Sequence, residues 1–192
     1  MSKKTLKASA YIIVTFVLGF SIYFFMLYPS NPYMELKSAW RSYKLSTKDF
    51  FSTQLPDENN HLQKLSQYRG KIIVVNFWAT WCPTCRAEMP DLSAFHNENV
   101  KNNVTVLGIA VDEIEPVKEF VAKTPVSFPL VVSKEIGMEL AKDFDNDFGL
   151  LPYTVIIDRE GKVAKILYGR VDKARLQPEI NSLLARSHTH QL

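Results

Sequence analysis

The stretch Ile72–Pro90, IIVVNFWATWCPTCRAEMP, decides the fold of this chain. A β-branched, apolar run leads into two cysteines set where a helix must begin, and Cys82 and Cys85 are the only cysteines present. Residues three apart on a helix share a face, so the two sulfurs come near enough to form a disulfide that can open and close. A cysteine at a helix N-terminus faces unpaired backbone N–H groups and the positive end of the helix dipole. That setting stabilises thiolate and lowers the thiol pKa from about 8.5 into roughly the 3.5–7.5 range. Cys82, the first and more exposed sulfur, is the natural nucleophile. Cys85, one turn further in, resolves a mixed disulfide by attacking back. A structural zinc site would need further ligands, and there is no second cysteine pair to supply them. A static disulfide across one turn is the remaining structural alternative.

Working outward, the next segments alternate between strand and helix character. RAEMPDLSAFHNENV continues the helix, with a kink expected at Pro90. Val104–Val111, VTVLGIAV, is a continuous apolar run of the kind buried on both faces of a parallel sheet. Pro116 sits in the first turn of a helix through EPVKEFVAK, Phe128–Val132 reads as a strand, and Lys134–Phe144 as a further helix. Val163–Tyr168 closes a hairpin after the REGK turn, and a last helix over Asp172–Ala185 must be kinked or restarted at Pro178. This rhythm predicts an α/β fold with right-handed crossovers. Ahead of it, Asp49–Gln63 alternates enough to predict a short β-hairpin turning at PDENN, and LSQY a helical turn.

The N-terminal region differs in character. No charged side chain occurs from Ala8 to Met34, and Ala10–Tyr28 is 19 apolar-rich residues. At about 1.5 Å per residue that run reaches about 28 Å, against a hydrocarbon core of about 30 Å. The run is longer than the apolar region of a cleaved signal peptide, and LYPSNPY offers no small-X-small cleavage site. Lys3, Lys4 and Lys7 precede the span, which places the N-terminus in the cytoplasm by the positive-inside rule. The expected organisation is a cytoplasmic 1–9, a transmembrane anchor at 10–28, a stalk at 29–45, a catalytic domain at 46–185 and a tail at 186–192. The membrane is expected to be crossed once, with the catalytic domain outside the cytoplasm. The three lysines account for the net charge of +3, since the rest of the chain carries 20 basic and 20 acidic residues. A neutral soluble domain gives no reason to expect nucleic acid as a partner.

WCPTC after a VVNFWAT strand resembles the thioredoxin superfamily, and NFWATWCPTCRAEMP is similar to its membrane-anchored branch of TlpA, ResA and CcmG (DsbE) proteins. The resemblance covers roughly Leu45–Leu184. It implies a thioredoxin-like fold, with a central mixed sheet flanked by helices and an N-terminal β-hairpin extension. For the anchor it implies a bacterial inner membrane, with the catalytic domain on its periplasmic side. It also implies that the Leu151–Pro152 bond in GLLPYTVIID is cis, with the Leu151 backbone pairing with an incoming peptide as an added strand. Thioredoxin-type reductases place a buried Asp beneath the second cysteine, where this chain has Asn76. Glu88 shares a helical face with Cys85 and matches a functional glutamate of ResA-like proteins, so it is the candidate proton acceptor.

The candidate catalytic residues are therefore Cys82, Cys85 and Glu88, and the candidate substrate-binding residues are Trp81, Pro83, Thr84, Leu151 and Pro152. No metal or cofactor is called for beyond the Cys82–Cys85 disulfide. Thr84 carries no charge to support a thiolate, unlike the His of DsbA-like Pro-His sites, which tilts the expectation towards a reductant. Such a protein reduces disulfides of extracytoplasmic client proteins and draws electrons from a membrane thiol donor of DsbD or CcdA type. A CcmG-like role in cytochrome c maturation is one version, although Tyr153 stands where CcmG-like proteins usually carry an acid after the cis-proline. A disulfide oxidase or isomerase, and a copper-delivery protein of SCO type, are the alternatives. The SCO family spaces its cysteines by three residues and adds a histidine ligand. A peroxiredoxin motif is absent, because Asn76 occupies the place of its proline relative to Thr80. His61 and His96 read as surface residues, His188 and His190 as part of the tail, and Asp112 and Glu113 as solvated loop charge. Trp78 divides between core and site.

Overall fold

A computed structural model of the chain describes residues 15–20, 23 and 45–189. The chain divides into two units, residues 1–43 and 44–192. In the first, residues 15–20 are helical and exposed. Among the described residues no helix is long and apolar enough to cross a membrane. Most of the expected anchor at 10–28 and nearly all of the stalk at 29–45 lie outside the described residues.

The second unit is built on a five-stranded sheet. Strand β3 (Ile72–Trp78) lies at its centre, buried at every position, with β4 (Val104–Ala110) parallel on one side and β6 (Tyr153–Ile157) antiparallel on the other. β5 (Leu130–Val132) and β7 (Val163–Tyr168) form the edges, giving the order β5-β4-β3-β6-β7. Strands buried on both faces need no polar alternation, which is why Ile72–Val75 and Val104–Leu107 are almost uniformly apolar. Helices cover both faces. Ile72, Val74 and Trp78 point towards α2 (Pro83–Asn99), α3 (Ile114–Lys123) and α5 (Lys173–Thr189), whose Leu92, Val117, Leu176 and Ile180 complete that core. Ile73, Val75 and Phe77 point towards the other core, filled by Phe50 and Phe51 of α1 (Lys48–Ser52) and by Leu140 and Ala141 of α4 (Lys134–Asp143).

A small hairpin of β1 (Gln54–Pro56) and β2 (Leu62–Lys64), followed by a 3₁₀ turn at Leu65–Tyr68, precedes the sheet. The hairpin predicted over Asp49–Gln63 is thus shorter than expected, because its first residues are helical. Phe50 and Phe51 both enter one core, their rings 5.0 Å apart, whereas a strand would send neighbouring side chains to opposite faces. The Phe51 N–H closes the turn on Thr47 O at 3.0 Å.

Pro90 and Pro178 lie inside α2 and α5. The sequence expectation for His96 is overturned. His96 is 8% exposed, and its Nδ1 accepts the Val106 N–H at 3.2 Å. β5 pairs with β4 only from Gly108 onward, so the β4 N–H at Val106 has no strand partner on that side and the imidazole supplies one. Burial, together with the nearby Lys71 ammonium, lowers the His96 pKa below its usual value.

Tyr153 follows the cis-proline and is fully buried between Phe77 and Tyr168. Its hydroxyl donates to Phe144 O at 2.5 Å, tying β6 to the end of α4. A buried carbonyl left without its donor costs about 1–3 kcal/mol. Tyr153→Phe should therefore lower the unfolding free energy by about that amount in denaturant titrations, while leaving the potential of the cysteine pair unchanged.

Candidate functional site

The end of β3 delivers the chain to the cysteines through the loop Ala79–Trp81. Two bonds to Asp112 fix that loop: Asp112 Oδ2 accepts the Thr80 N–H at 2.9 Å and the Thr80 hydroxyl at 2.5 Å. Asp112 Oδ1 accepts the Glu113 N–H at 2.9 Å, and the Val111 N–H bonds Trp78 O at 2.8 Å. Asp112 is 9% exposed and is a structural clamp, not the solvated loop charge expected of it. The signal lay in the parallel register: Trp78 pairs with Ala110, so the residues two further along each chain, Thr80 and Asp112, emerge side by side.

Cys82 is the N-cap of α2, with Pro83 at the first helical position, where a missing N–H costs nothing. The two cysteines are joined as a disulfide, with Cα atoms 5.2 Å apart. Cys82 Sγ accepts the Cys85 N–H at 3.2 Å, so the first sulfur sits on an unpaired helix N–H. Cys82 is less open than the sequence implied, at 6% exposure, because its sulfur turns in over the helix end. Cys85 is fully buried. Trp81, Pro83 and Thr84 are exposed around the pair, Trp81 at 65%. Trp78 belongs to the core, packed against Phe120 with ring centroids 5.3 Å apart.

The Leu151–Pro152 bond is cis. Pro152 is buried, and half-buried Leu151 packs against both cores. Pro152 O accepts the Gly169 N–H at 3.0 Å, which binds the cis-proline segment to the turn between β7 and α5. Gly169 has φ 71°, a left-handed conformation that glycine adopts freely. Arg175 holds the same turn by donating to the carbonyls of Tyr168 and Arg170, and Arg170 pairs with Asp91 of α2 at 2.9 Å.

One turn after Cys85 on α2 lies Glu88, fully buried. Both of its oxygens accept hydrogen bonds at 2.8 Å, Oε1 from Asn76 Nδ2 and Oε2 from the Val171 N–H. Asn76 Nδ2 also donates to Thr154 Oγ1 at 3.1 Å. Strand alternation explains the gathering. Asn76 lies on the same face of β3 as Val74 and Trp78, and Thr154 is its direct cross-strand partner on β6. On α2, Glu88 follows Cys85 by three positions and so shares its inner face. Burial pushes the Glu88 carboxyl up to about 7, opposed by its two hydrogen bonds and by the positive charges of Arg170 and Arg175. A buried acid near neutrality can take a thiol proton and later release it. Sequence reasoning reached Glu88 and Asn76, but not Thr154 or the Val171 N–H. The Val171 contribution is a backbone group brought in by a distant turn, which no side-chain pattern encodes.

Residues 37–184 match the Redoxin family. Over 130 residues the chain is 32% identical to thiol-disulfide oxidoreductase ResA of Geobacillus kaustophilus, covering 67% of this chain and 72% of that protein. A thiol:disulfide interchange protein of the thioredoxin family from Chlorobium tepidum superposes with a TM-score of 0.61 at 26% identity, covering 69% of this chain and 93% of that one. A secreted Mycobacterium tuberculosis disulfide oxidoreductase homologous to Escherichia coli DsbE shares the fold, with a TM-score of 0.59 at 22% identity over 71% of this chain and 99% of its own. With a thioredoxin-like sheet carrying a cysteine pair at a helix N-terminus, the chain belongs to the Redoxin family of the thioredoxin superfamily and is a thiol-disulfide oxidoreductase of the TlpA/ResA/CcmG type.

Proposed function

We propose that this oxidoreductase works as a reductant of disulfides in extracytoplasmic client proteins, tethered to the membrane by residues 10–28. The observation that carries the reading is the pairing of a cysteine disulfide at a helix N-terminus with a buried carboxyl on the same helical face. In the reduced protein the Cys82 thiolate, supported by the Cys85 N–H, attacks one sulfur of the client disulfide. The client S–S bond breaks, its second sulfur leaves as a thiolate and takes up a proton, and a mixed disulfide with Cys82 remains. Cys85 then gives its proton to ionised Glu88, attacks Cys82 Sγ and expels the first client sulfur as a thiolate, which is protonated as Glu88 gives its proton up. Two electrons pass to the client, both of its sulfurs end as thiols, and the Cys82–Cys85 disulfide is formed.

Cis-Pro152 and the Leu151 backbone hold the client beside Cys82 as an added strand, and Trp81, Pro83 and Thr84 form the surface it meets. The absence of a charge at Thr84 supports the reducing direction, because the thiolate is less favoured than in strong oxidants. A dithiol that reduces outside the cytoplasm must be recharged, which calls for a membrane thiol donor of the DsbD or CcdA kind. Apocytochrome c, reduced before haem attachment, is one client of the required chemistry.

Equilibrating the full-length protein with glutathione or dithiothreitol buffers tests the direction. A reductant should show a potential near or below about −250 mV, and a value of about −120 to −180 mV would contradict that assignment. Cys85→Ala should trap clients as mixed disulfides on Cys82.

The role of Glu88 carries its own sign. Below pH about 7 the carboxyl is protonated and cannot accept from Cys85, and above it the ionised form can. Resolution of a preformed mixed disulfide should accelerate as pH rises through that value. Glu88→Gln should lose the inflection and slow the step by roughly 10²-fold on the alkaline side, as read by rapid-quench assay.

A further inference from the structure

Asn76 is the odd member of the Glu88 cluster. Its Nδ2 donates twice, to Glu88 Oε1 and to Thr154 Oγ1, while its equally buried Oδ1 has no hydrogen-bond partner among the described residues. A buried amide oxygen in that condition is uncommon and costly. The opposite face of the problem is Glu88 itself. With N–H donors on both oxygens, the site as it stands suits a carboxylate and not a carboxylic acid. A proton on Oε2 would face the backbone N–H of Val171, which cannot turn away. A proton on Oε1 would face Asn76 Nδ2–H, donor against donor.

A half-turn of the Asn76 amide about its last side-chain bond removes the second of these difficulties. Oδ1 then takes the place of Nδ2, where it can accept from a protonated Glu88 Oε1 and from the Thr154 hydroxyl together. Thr154 can serve either orientation, because a hydroxyl both donates and accepts. Nitrogen and oxygen of an amide are nearly equal in size, so the exchange needs no repacking in a close-packed core. The remaining charges around Glu88 do not offer the same adjustment. Arg170 and Arg175 act on it from the β7–α5 turn and α5, with Arg170 itself paired to Asp91 of α2, and they favour the ionised form alone. β3 and β6 present only the neutral Asn76 and Thr154 to it.

We propose that Asn76 is a proton-coupled positioning residue, whose amide turns over when Glu88 takes up the Cys85 proton, so that both protonation states of Glu88 are hydrogen-bonded. The inference rests on the reading of Glu88 as proton acceptor. In the resolving step the proton moves from Cys85 Sγ to Glu88 Oε1 and the amide turns to accept it. Cys85 forms its bond to Cys82 and breaks the bond from Cys82 to the client sulfur, which leaves as a thiolate. When Glu88 passes its proton to that thiolate through solvent, the amide returns. An aspartate at position 76 would instead place a second titrating acid against Glu88, so asparagine gives the site a single proton acceptor with an adjustable partner.

Nuclear Overhauser contacts from the Asn76 Nδ2 protons, measured in the oxidised full-length chain at about pH 5 and about pH 9, read the orientation directly, with the Glu88 carboxyl carbon reporting its protonation. The contacts from the Nδ2 protons to the Thr154 side chain should be present at the higher pH and lost at the lower. If Glu88 titrates between these pH values while those contacts persist at both, the turnover is overturned and Glu88 keeps its role. If the Glu88 carboxyl carbon does not titrate in this range, both readings fall. Asn76→Leu gives a second test. If the amide serves both protonation states, its removal takes a partner from each, and the inflection of mixed-disulfide resolution should stay near its wild-type pH. A marked move of the inflection to higher pH would show that Asn76 serves the ionised form alone and would overturn the proposal.

Discussion

The buried carboxyl of Glu88 is the constraint on which the arrangement of this site depends. An acid removed from water must be hydrogen-bonded or neutral, and here the bonds come from separate parts of the chain. The helix that carries the cysteines supplies the carboxyl, the central strand supplies the Asn76 amide, and the turn after β7 supplies the Val171 N–H. That turn is bonded in its own right to the cis-proline segment through Gly169 and Pro152. Glu88 is therefore linked, through the turn after β7, to the cis-proline segment.

Cys82 is held by a parallel set of contacts. Asp112 gathers the Thr80 N–H and hydroxyl at the end of β3, which sets the path into α2, and the Cys85 N–H in the first turn of that helix meets Cys82 Sγ. The helix N-terminus and the Cys85 N–H act on the Cys82 sulfur, while the clamp at Thr80 acts on the backbone that leads to it. The two groups of the proposed reaction, the Cys82 sulfur and the Glu88 carboxyl, thus lie on the first turns of one helix.

Much of the fold was legible because its signals are local. Uniformly apolar runs gave β3 and β4, the proline near its start gave α3, and CPTC after a strand gave the site. The failures were equally physical. Phe50 and Phe51 looked like strand residues, yet both rings belong to one core, which only a helical turn allows. His96 and Asp112 looked like surface polars because the groups they satisfy are backbone N–H groups left open by the short β5 and by the loop after β3. Thr154 and Val171 joined the site through cross-strand register and a long-range turn. Polar residues whose partners are backbone atoms distant in sequence leave little trace in spacing or composition, whereas Glu88 was reachable because its relation to Cys85 is helical.

The central claim is that Glu88 exchanges protons near neutrality inside the protein. The infrared carboxylic C=O band, taken as the difference between the oxidised full-length wild type and Glu88→Gln across a pH series, measures this without reference to turnover. The account predicts a buried-acid band that disappears with an inflection near 7. Loss of the band near the ordinary carboxylate value of about 4.3 would contradict it.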